Sequence, residues 1–462
     1  MSIQSYHRVV DDHFPPYFFA GYTHDPKDID LLAATQAQVC LYEKVTWTLP
    51  GSEGEESERK GLRYGENPGQ ECALYRPING NLVLAGIEFV HSEAQMVGHL
   101  ESRDLIQFGK HPSKTNLTDV DSGLNILKYF HEEPCAIIMK HNNPCGVALG
   151  FTLLEAYTKA WEADPVAPFG GALIVNRPLD CETAEAIASQ YYEVVCAPEY
   201  EEGATDILAR RKNLRVIRIQ NIDKLHEQIG ERYIDFKSLS DGSLMQQWSY
   251  VPTAGQEKQE PIRSFADFAR LVELPSELPV REMQDGKMVR TDKTVSIENK
   301  PSREQLRDLW FAWMVETGVT SNSVLTAKDL ATVSIGAGGQ DRVSMSRQCI
   351  SKAYESRRAL VSMKRYGVNF ETLKLQVKQG EKPAEMVKLV EADVVGSGGG
   401  LRNAVAASDA FFPFRDGVDI LLEAGIRAIV QPGGSLRDAD AVAACNENHA
   451  SMVFTNMRCF RH

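Results

Sequence analysis

The stretch Cys135–Gly146, CAIIMKHNNPCG, restricts the fold of this chain more than any other. Its apolar run, Ala136 to Met139, reads as a buried strand, and Pro144 with Gly146 forces the chain out of it. Lys140 and His141 therefore stand at a strand's carboxyl end, where open α/β sheets collect their ligands. Neighbours in a continuing strand point to opposite faces, so both side chains can meet one ligand only where the pleat stops. A nearby ammonium disfavours imidazolium and keeps His141 able to accept a proton near pH 7. Lys140 and His141 are thus a candidate catalytic pair. The plainer alternative is a strand-end lysine in solvent beside a turn-capping histidine, and other stretches must decide between them.

A length of 462 residues suggests two or three domains. The formal net charge of -13 argues against a nucleic-acid surface, so any anionic ligand needs a local basic pocket. No run reaches the length of a membrane span, and MSIQSYHRVVDDHF lacks a signal peptide's apolar stretch, so no membrane partner and a cytoplasmic location are expected. The nine cysteines are scattered singly, without a CxxC. Neither a disulfide framework nor a zinc site is expected, and zinc protease or deaminase motifs are absent from the sequence. Cys145 reads as a packed thiol in preference to a nucleophile.

Residues 1–60 form an N-terminal extension, with a helix expected from about Asp28 to Val45 and an acidic solvated loop at GSEGEESERKG. LRYGENPGQ follows, where Arg63 offers a planar fork for phosphate or carboxylate and Tyr64 a ring with a hydroxyl. Strand and helix signals alternate through residues 61–250: CAIIMK, a helix near Leu153–Glu162, GGALIVN, a helix near Glu182–Gln190, YEVVCAP, a helix near Ala204–Lys212, and LRVIRI. This alternation argues for an α/β layer. Residues 251–301 read as a linker with some helix, and 302–462 as a second unit. That unit opens with a helix near Ser302–Glu316, rich in Leu, Trp and Met, whose apolar positions are expected to pack a core, and continues through two strands, a Gly336–Gly339 turn and a helix starting near Asp341. Two related halves facing each other, with the site between them, would suit the pattern.

LRYGENP, KHNNPCG, DPVAPFGG, VVCAPEYEE, TSNSV with IGAGGQDR, SDAFFPFRD, QPGGSLRD and MRCFRH stand in this order over residues 62–462. Together they resemble the transformylase half of the bifunctional family of 5-aminoimidazole-4-carboxamide ribonucleotide (AICAR) formyltransferase/IMP cyclohydrolases. The resemblance implies two cytidine-deaminase-like subdomains of three-layer αβα build without zinc, and a homodimer with active sites at the subunit interface. It implies transfer of a formyl group from 10-formyltetrahydrofolate to the 5-amino group of AICAR. Lys140 and His141 match the family's catalytic pair. Arg63, Tyr64, Asn322, Arg342, Phe411 and Arg458 match positions around the nucleotide, Gly170 and Glu193 lie near its base, and Asp416 and His462 line the site. Some members also hold a potassium ion near Ser321 and Ser323.

Two departures bear on function. The family's usual NPHQ reads Asn67, Pro68, Gly69, Gln70 here, so a histidine is missing. Only 61 residues precede Leu62, against the roughly 200 of a typical domain, so ring closure to IMP is expected from a separate cyclohydrolase. Two other readings stand beside formyl transfer from folate. One is a formate- and ATP-dependent AICAR formyl ligase, against which the lack of an ATP-binding motif counts. The other is a folate- or nucleotide-binding regulator without turnover, for which Gly69 leaves room.

Overall fold

A computed structural model describes residues 12–22, 38–49, 58–67, 70–90, 95–107, 111–231, 233–247, 252–254 and 260–462. Its frame is an eleven-stranded mixed sheet. In chain order the strands are β1 (Leu105–Gln107), β2 (Cys135–Lys140), β3 (Asn143–Leu149), β4 (Gly171–Val175), β5 (Tyr192–Ala197), β6 (Arg215–Arg218), β7 (Val324–Lys328), β8 (Ala331–Gly336), β9 (Val405–Ser408), β10 (Ala428–Gln431) and β11 (Ser451–Phe454). Across the sheet they run β11-β10-β9-β7-β8-β3-β2-β4-β5-β6-β1.

Each half of the sheet repeats one plan. In the first, α1 (Lys114–Leu127) leads into the β2–β3 hairpin, and α2 (Leu153–Ala163), α3 (Cys181–Ala188) and α4 (Ala204–Leu208) connect onward to β4, β5 and β6. After α5 (Phe265–Leu271), the second half begins with α6 (Arg303–Glu316) and the β7–β8 hairpin. There α7 (Arg342–Tyr366), α8 (Phe370–Lys378) and α9 (Glu385–Ser397) lead to β9, and α10 (Asp416–Glu423) and α11 (Asp438–Glu447) to β10 and β11. In both halves the hairpin is antiparallel, the next strand pairs antiparallel with the hairpin's first strand, and the last two strands run parallel to it.

The halves do not face each other across a cleft. They join edge to edge, β3 pairing antiparallel with β8 at Ala148 and Ala331, because each hairpin otherwise leaves a row of unpaired backbone groups. This junction turns the second half around. The edge where β2 ends and β4, β5 and β6 begin is therefore the edge where β9, β10 and β11 end.

Helices cover both faces, which makes three layers. Ile137, Met139, Ile174, Leu325, Val405 and Val430 belong to one continuous core under α1 and α6. On the opposite face there are two cores, Ile138, Leu173 and Val195 under α2–α4, and Ala406, Ile429 and Met452 under α7, α10 and α11. Burial on both faces is why these strands read as unbroken apolar runs. Gly146 lets α2 close on β3, since a Cβ there would lie 1.9 Å from Ala160 O.

Outside the sheet two expectations change. Of the helix expected over Asp28–Val45, residues 28–37 lie outside the described residues, and Gln38–Val45 is a strand between Tyr17–Tyr22 and Leu74–Gly80. Val39, Tyr42 and Val45 suit a strand, and pairing on both sides outweighs the segment's helical composition. Residues 260–301 hold α5 and an antiparallel hairpin, Leu278–Gln284 with Lys287–Val295, and Glu273 exchanges backbone hydrogen bonds with Phe454. Helices α8 and α9 pack Phe370, Leu373, Val390 and Val394 into a small separate core.

Candidate functional site

The sheet edge where β2 ends carries most of the candidate residues. His141 and Asn142 both adopt left-handed backbone, with φ of 55° and 61°. Two consecutive left-handed residues turn the chain sharply and aim adjacent amides at one acceptor, the carboxylate of Asp119 on α1. Asn142 N–H donates to Asp119 Oδ1 at 2.6 Å, and the amide of His141 donates to the same carboxylate. Burial raises the Asp119 carboxyl above its ordinary range, an effect the two amides and the nearby imidazole oppose. His141 itself is exposed. Lys140 Nζ donates to Phe169 O at 2.8 Å, fixing the loop before β4. In that loop Gly170, at φ 78°, supplies a turn other residues adopt poorly, and exposed Phe169 lies 4.7 Å from the Tyr191 ring.

Near this turn lies a cationic cluster. Arg63 and Arg215 are 5% and 3% exposed, and each guanidinium lies within the other's field. Glu193, at the start of β5, stands 3.6 Å from Arg215 and accepts from Asn116 Nδ2 at 2.9 Å. Arg63 Nη2 donates to the Tyr64 hydroxyl at 2.7 Å with its guanidinium over the ring, while its buried Nε–H has no hydrogen-bond partner among the described residues. Two buried cations facing one carboxylate, with a donor left over, suit an anionic group. Arg215, Asn116 and Asp119 were missed from sequence. Arg215 opens an apolar strand, and the other two sit on an amphipathic helix whose ordinary polar positions they resemble.

The second half contributes a buried ionic cluster at the same edge. Arg342, the first residue of α7, pairs with Asp409 at the end of β9 and donates to Ser323 O at 2.8 Å and Asn322 Oδ1 at 3.0 Å. Asn322 exchanges backbone hydrogen bonds with Gly339, which ties the TSNSV and IGAGGQDR motifs together. Ser321 donates to Asp409, and Ser323 donates to Glu316 Oε1 at 2.9 Å. Glu316, the last residue of α6, is 0% exposed, and its Oε2 has no hydrogen-bond partner among the described residues. Burial first, and then Asp409, push its carboxyl well above the ordinary range. Two buried carboxylates against one guanidinium leave an excess negative charge, which a proton or a monovalent cation can neutralise.

Of the remaining candidates, Phe411 is half-exposed beyond β9. Arg458 and His462 follow β11 and flank Phe460, the guanidinium 4.8 Å and the imidazole 5.7 Å from its ring. Asp416 starts α10, is exposed and accepts from its neighbour Gly417; no hydrogen bond or ion pair joins it to the other candidates among the described residues. Gly69 lies outside the described residues. Cys145 is buried and its thiol is pushed up to about 12 by desolvation, which suits packing.

A protein-family model described as the AICARFT/IMPCHase bienzyme matches residues 35–352. The chain belongs to this family. Among similar proteins, the bifunctional purine biosynthesis protein PurH of Persephonella marina is 35% identical over 403 residues, covering 87% of this chain and 59% of the relative. Those of Aquifex aeolicus and Caldicellulosiruptor saccharolyticus are 34% and 32% identical, with the same shares covered. The chain thus spans somewhat more than half the length of these PurH relatives. As a member of the AICARFT/IMPCHase family, it places KHNNPCG, TSNSV, IGAGGQDR and SDAFFPFRD at one sheet edge.

Proposed function

We propose that this chain transfers a formyl group from 10-formyltetrahydrofolate to the 5-amino group of AICAR in purine biosynthesis, releasing formyl-AICAR and tetrahydrofolate. The observation that carries the reading is the exposed His141, on a left-handed turn held by Asp119, at the sheet edge that also carries the buried arginines Arg215 and Arg342. The amine of AICAR is a poor nucleophile because its lone pair is withdrawn into the ring. His141 takes the amine proton as the tetrahedral intermediate forms and returns one to the departing folate nitrogen. Lys140 spends one N–H on Phe169 O, and its other two are free to stabilise charge developing on the formyl oxygen.

Arg63, Tyr64 and Arg458 bind the ribotide's anionic end, Gly170 and Glu193 its base, and Asn322, Arg342 and Phe411 complete the substrate surface, with Asp416 and His462 at its margin. Half-exposed Phe411 and exposed Phe169 offer flat apolar surface to folate. A homodimer with shared active sites would cover these rings. Potassium fits the cluster of Glu316, Ser321, Ser323 and Asp409, whose hard oxygens and unpartnered Glu316 Oε2 suit a monovalent cation. Bound there, it would neutralise the excess charge behind Arg342. The repeated strand and helix order of the two halves supports reading each as a cytidine-deaminase-like subdomain.

The test is an absorbance assay of purified protein with AICAR and 10-formyltetrahydrofolate, followed by product analysis. Tetrahydrofolate release with formyl-AICAR supports the proposal. Binding of both compounds without release overturns it in favour of a regulator, and release only with formate and ATP overturns it in favour of a ligase.

A further inference from the structure

Arg461, on the tail after β11, hydrogen-bonds to both halves of the molecule. Its backbone is pinned to the second half, since Arg461 N–H donates to Ser321 Oγ at 3.1 Å and its carbonyl accepts from Ser321 N–H at 2.9 Å. Its side chain crosses to the first half. Nη1 donates to Asn142 O and to Gly318 O, both at 2.6 Å, and Nη2 donates to Ser122 Oγ on α1 at 3.3 Å. One guanidinium thus ties together the turn bearing His141, the segment leading to the ionic cluster, and the helix whose Asp119 grips the same turn.

The internal repeat shows that this contact is not part of the common framework. The corresponding turn of the second half, Asp329–Leu330, has its carbonyl held by a strand neighbour, Leu149 N–H donating to Leu330 O at 2.9 Å. At the His141 turn the carbonyl of Asn142 is held by a side chain. A side-chain anchor can place a turn where ladder geometry would not, and an arginine remains charged at every relevant pH.

We infer that Arg461 is a positioning residue for His141, setting the imidazole's distance from the Asn322–Arg342 cluster across the junction of the two halves. The inference rests on the formyl-transfer reading. Thr320 N–H reinforces the link by donating to Asn143 Oδ1 at 2.9 Å. With the guanidinium removed, the turn keeps its Asp119 grip but loses its registration to the second half, and misplacement by an ångström is enough to cost about a hundredfold in rate.

The experiment compares wild type with Arg461→Ala and Arg461→Lys, each checked for folding by thermal denaturation, in the formyl-transfer assay and in hydrogen exchange of the His141–Asn143 amides. The expected result is a kcat lower by about a hundredfold in Arg461→Ala, with the KM for AICAR changed less than about threefold and partial recovery in Arg461→Lys. The turn amides exchange faster while the core strands do not. A folded Arg461→Ala with kcat within about twofold of wild type overturns the inference, as does a loss confined to KM. If Arg461→Ala does not fold, Arg461→Lys decides on the same criteria. If wild type transfers no formyl group, the functional reading has failed instead, and the exchange data still judge the clamp: unchanged exchange at the turn overturns it.

Discussion

The two halves of the sheet share a framework and differ in what they hang on it. Asp119 and Asp308 occupy the same position, five residues after the first of α1 and of α6, and each accepts both amides of a left-handed turn. The Asp308 bonds are 3.0 Å to Asp329 N–H and 2.8 Å to Leu330 N–H. Lys140 donates to Phe169 O and Lys328 to Arg402 O at 3.0 Å, each tying a hairpin to the loop before the next strand. These contacts belong to the fold. The differences belong to the site: His141 where the other turn has Asp329, and Arg461 where the other turn has a ladder bond.

A second difference concerns the residue after the third strand of each half. Asn176, after β4, is satisfied by backbone alone, accepting from Cys135 N–H at 2.7 Å and donating to Phe130 O at 2.6 Å and Glu133 O at 2.8 Å. Asp409, after β9, instead joins Arg342, Ser321 and Ser323 in a network of charge. One position closes an edge; its counterpart builds a site.

If this contrast is right, His141→Ala lowers formyl transfer by about a thousandfold, the scale of a lost general base, while Asp329→Ala stays within about twofold. Equal losses would erase the distinction between the turns. Arg342→Ala leaves Asp409 buried and unpaired, and should lower the unfolding free energy by about 3–5 kcal/mol. In the same denaturant titrations Asn176→Ala, which strands only neutral groups, should cost about 1–3 kcal/mol. Asp119→Asn and Asp308→Asn should each cost about 1–2 kcal/mol of stability, since both turns lose a charged acceptor, but only Asp119→Asn should reduce turnover.

The smallest expected effect is one of pH. Burial holds the Asp438 carboxyl up to about 6 against an ordinary 3.8, and its Oδ1 has no hydrogen-bond partner among the described residues. A carboxyl raised in the folded state gives stability that is fully present below pH 4 and is lost as pH rises through 6. Asp438→Asn should flatten unfolding free energy across that window, by about 1–2 kcal/mol after solvent screening.

The strands were legible because both faces are buried. CAIIMK, GGALIVN and YEVVCAP have no polar face to confuse with a helix stripe, but the break after CAIIMK is not where Pro144 and Gly146 suggest: the chain turns at His141 and Asn142, in left-handed backbone, and Pro144 and Gly146 already lie inside β3. Lys140, His141 and Glu193 could therefore be placed at strand ends. Glu316 could not be recognised, because its meaning comes from Ser323 and from Asp409, which lies 93 residues away. Asp119 looks like any acid on an amphipathic helix until the turn it grips is folded over it. The edge-to-edge junction was also hidden, since the pairing of Ala148 with Ala331 leaves no mark in two small residues.

The most direct test of the account is a structure with AICAR bound. The ribotide should lie along the edge bearing His141, with its ring amine within hydrogen-bond reach of the imidazole and its phosphate against Arg63 or Arg458. Density for AICAR at the opposite edge, around Lys328 and Asp329, would contradict it.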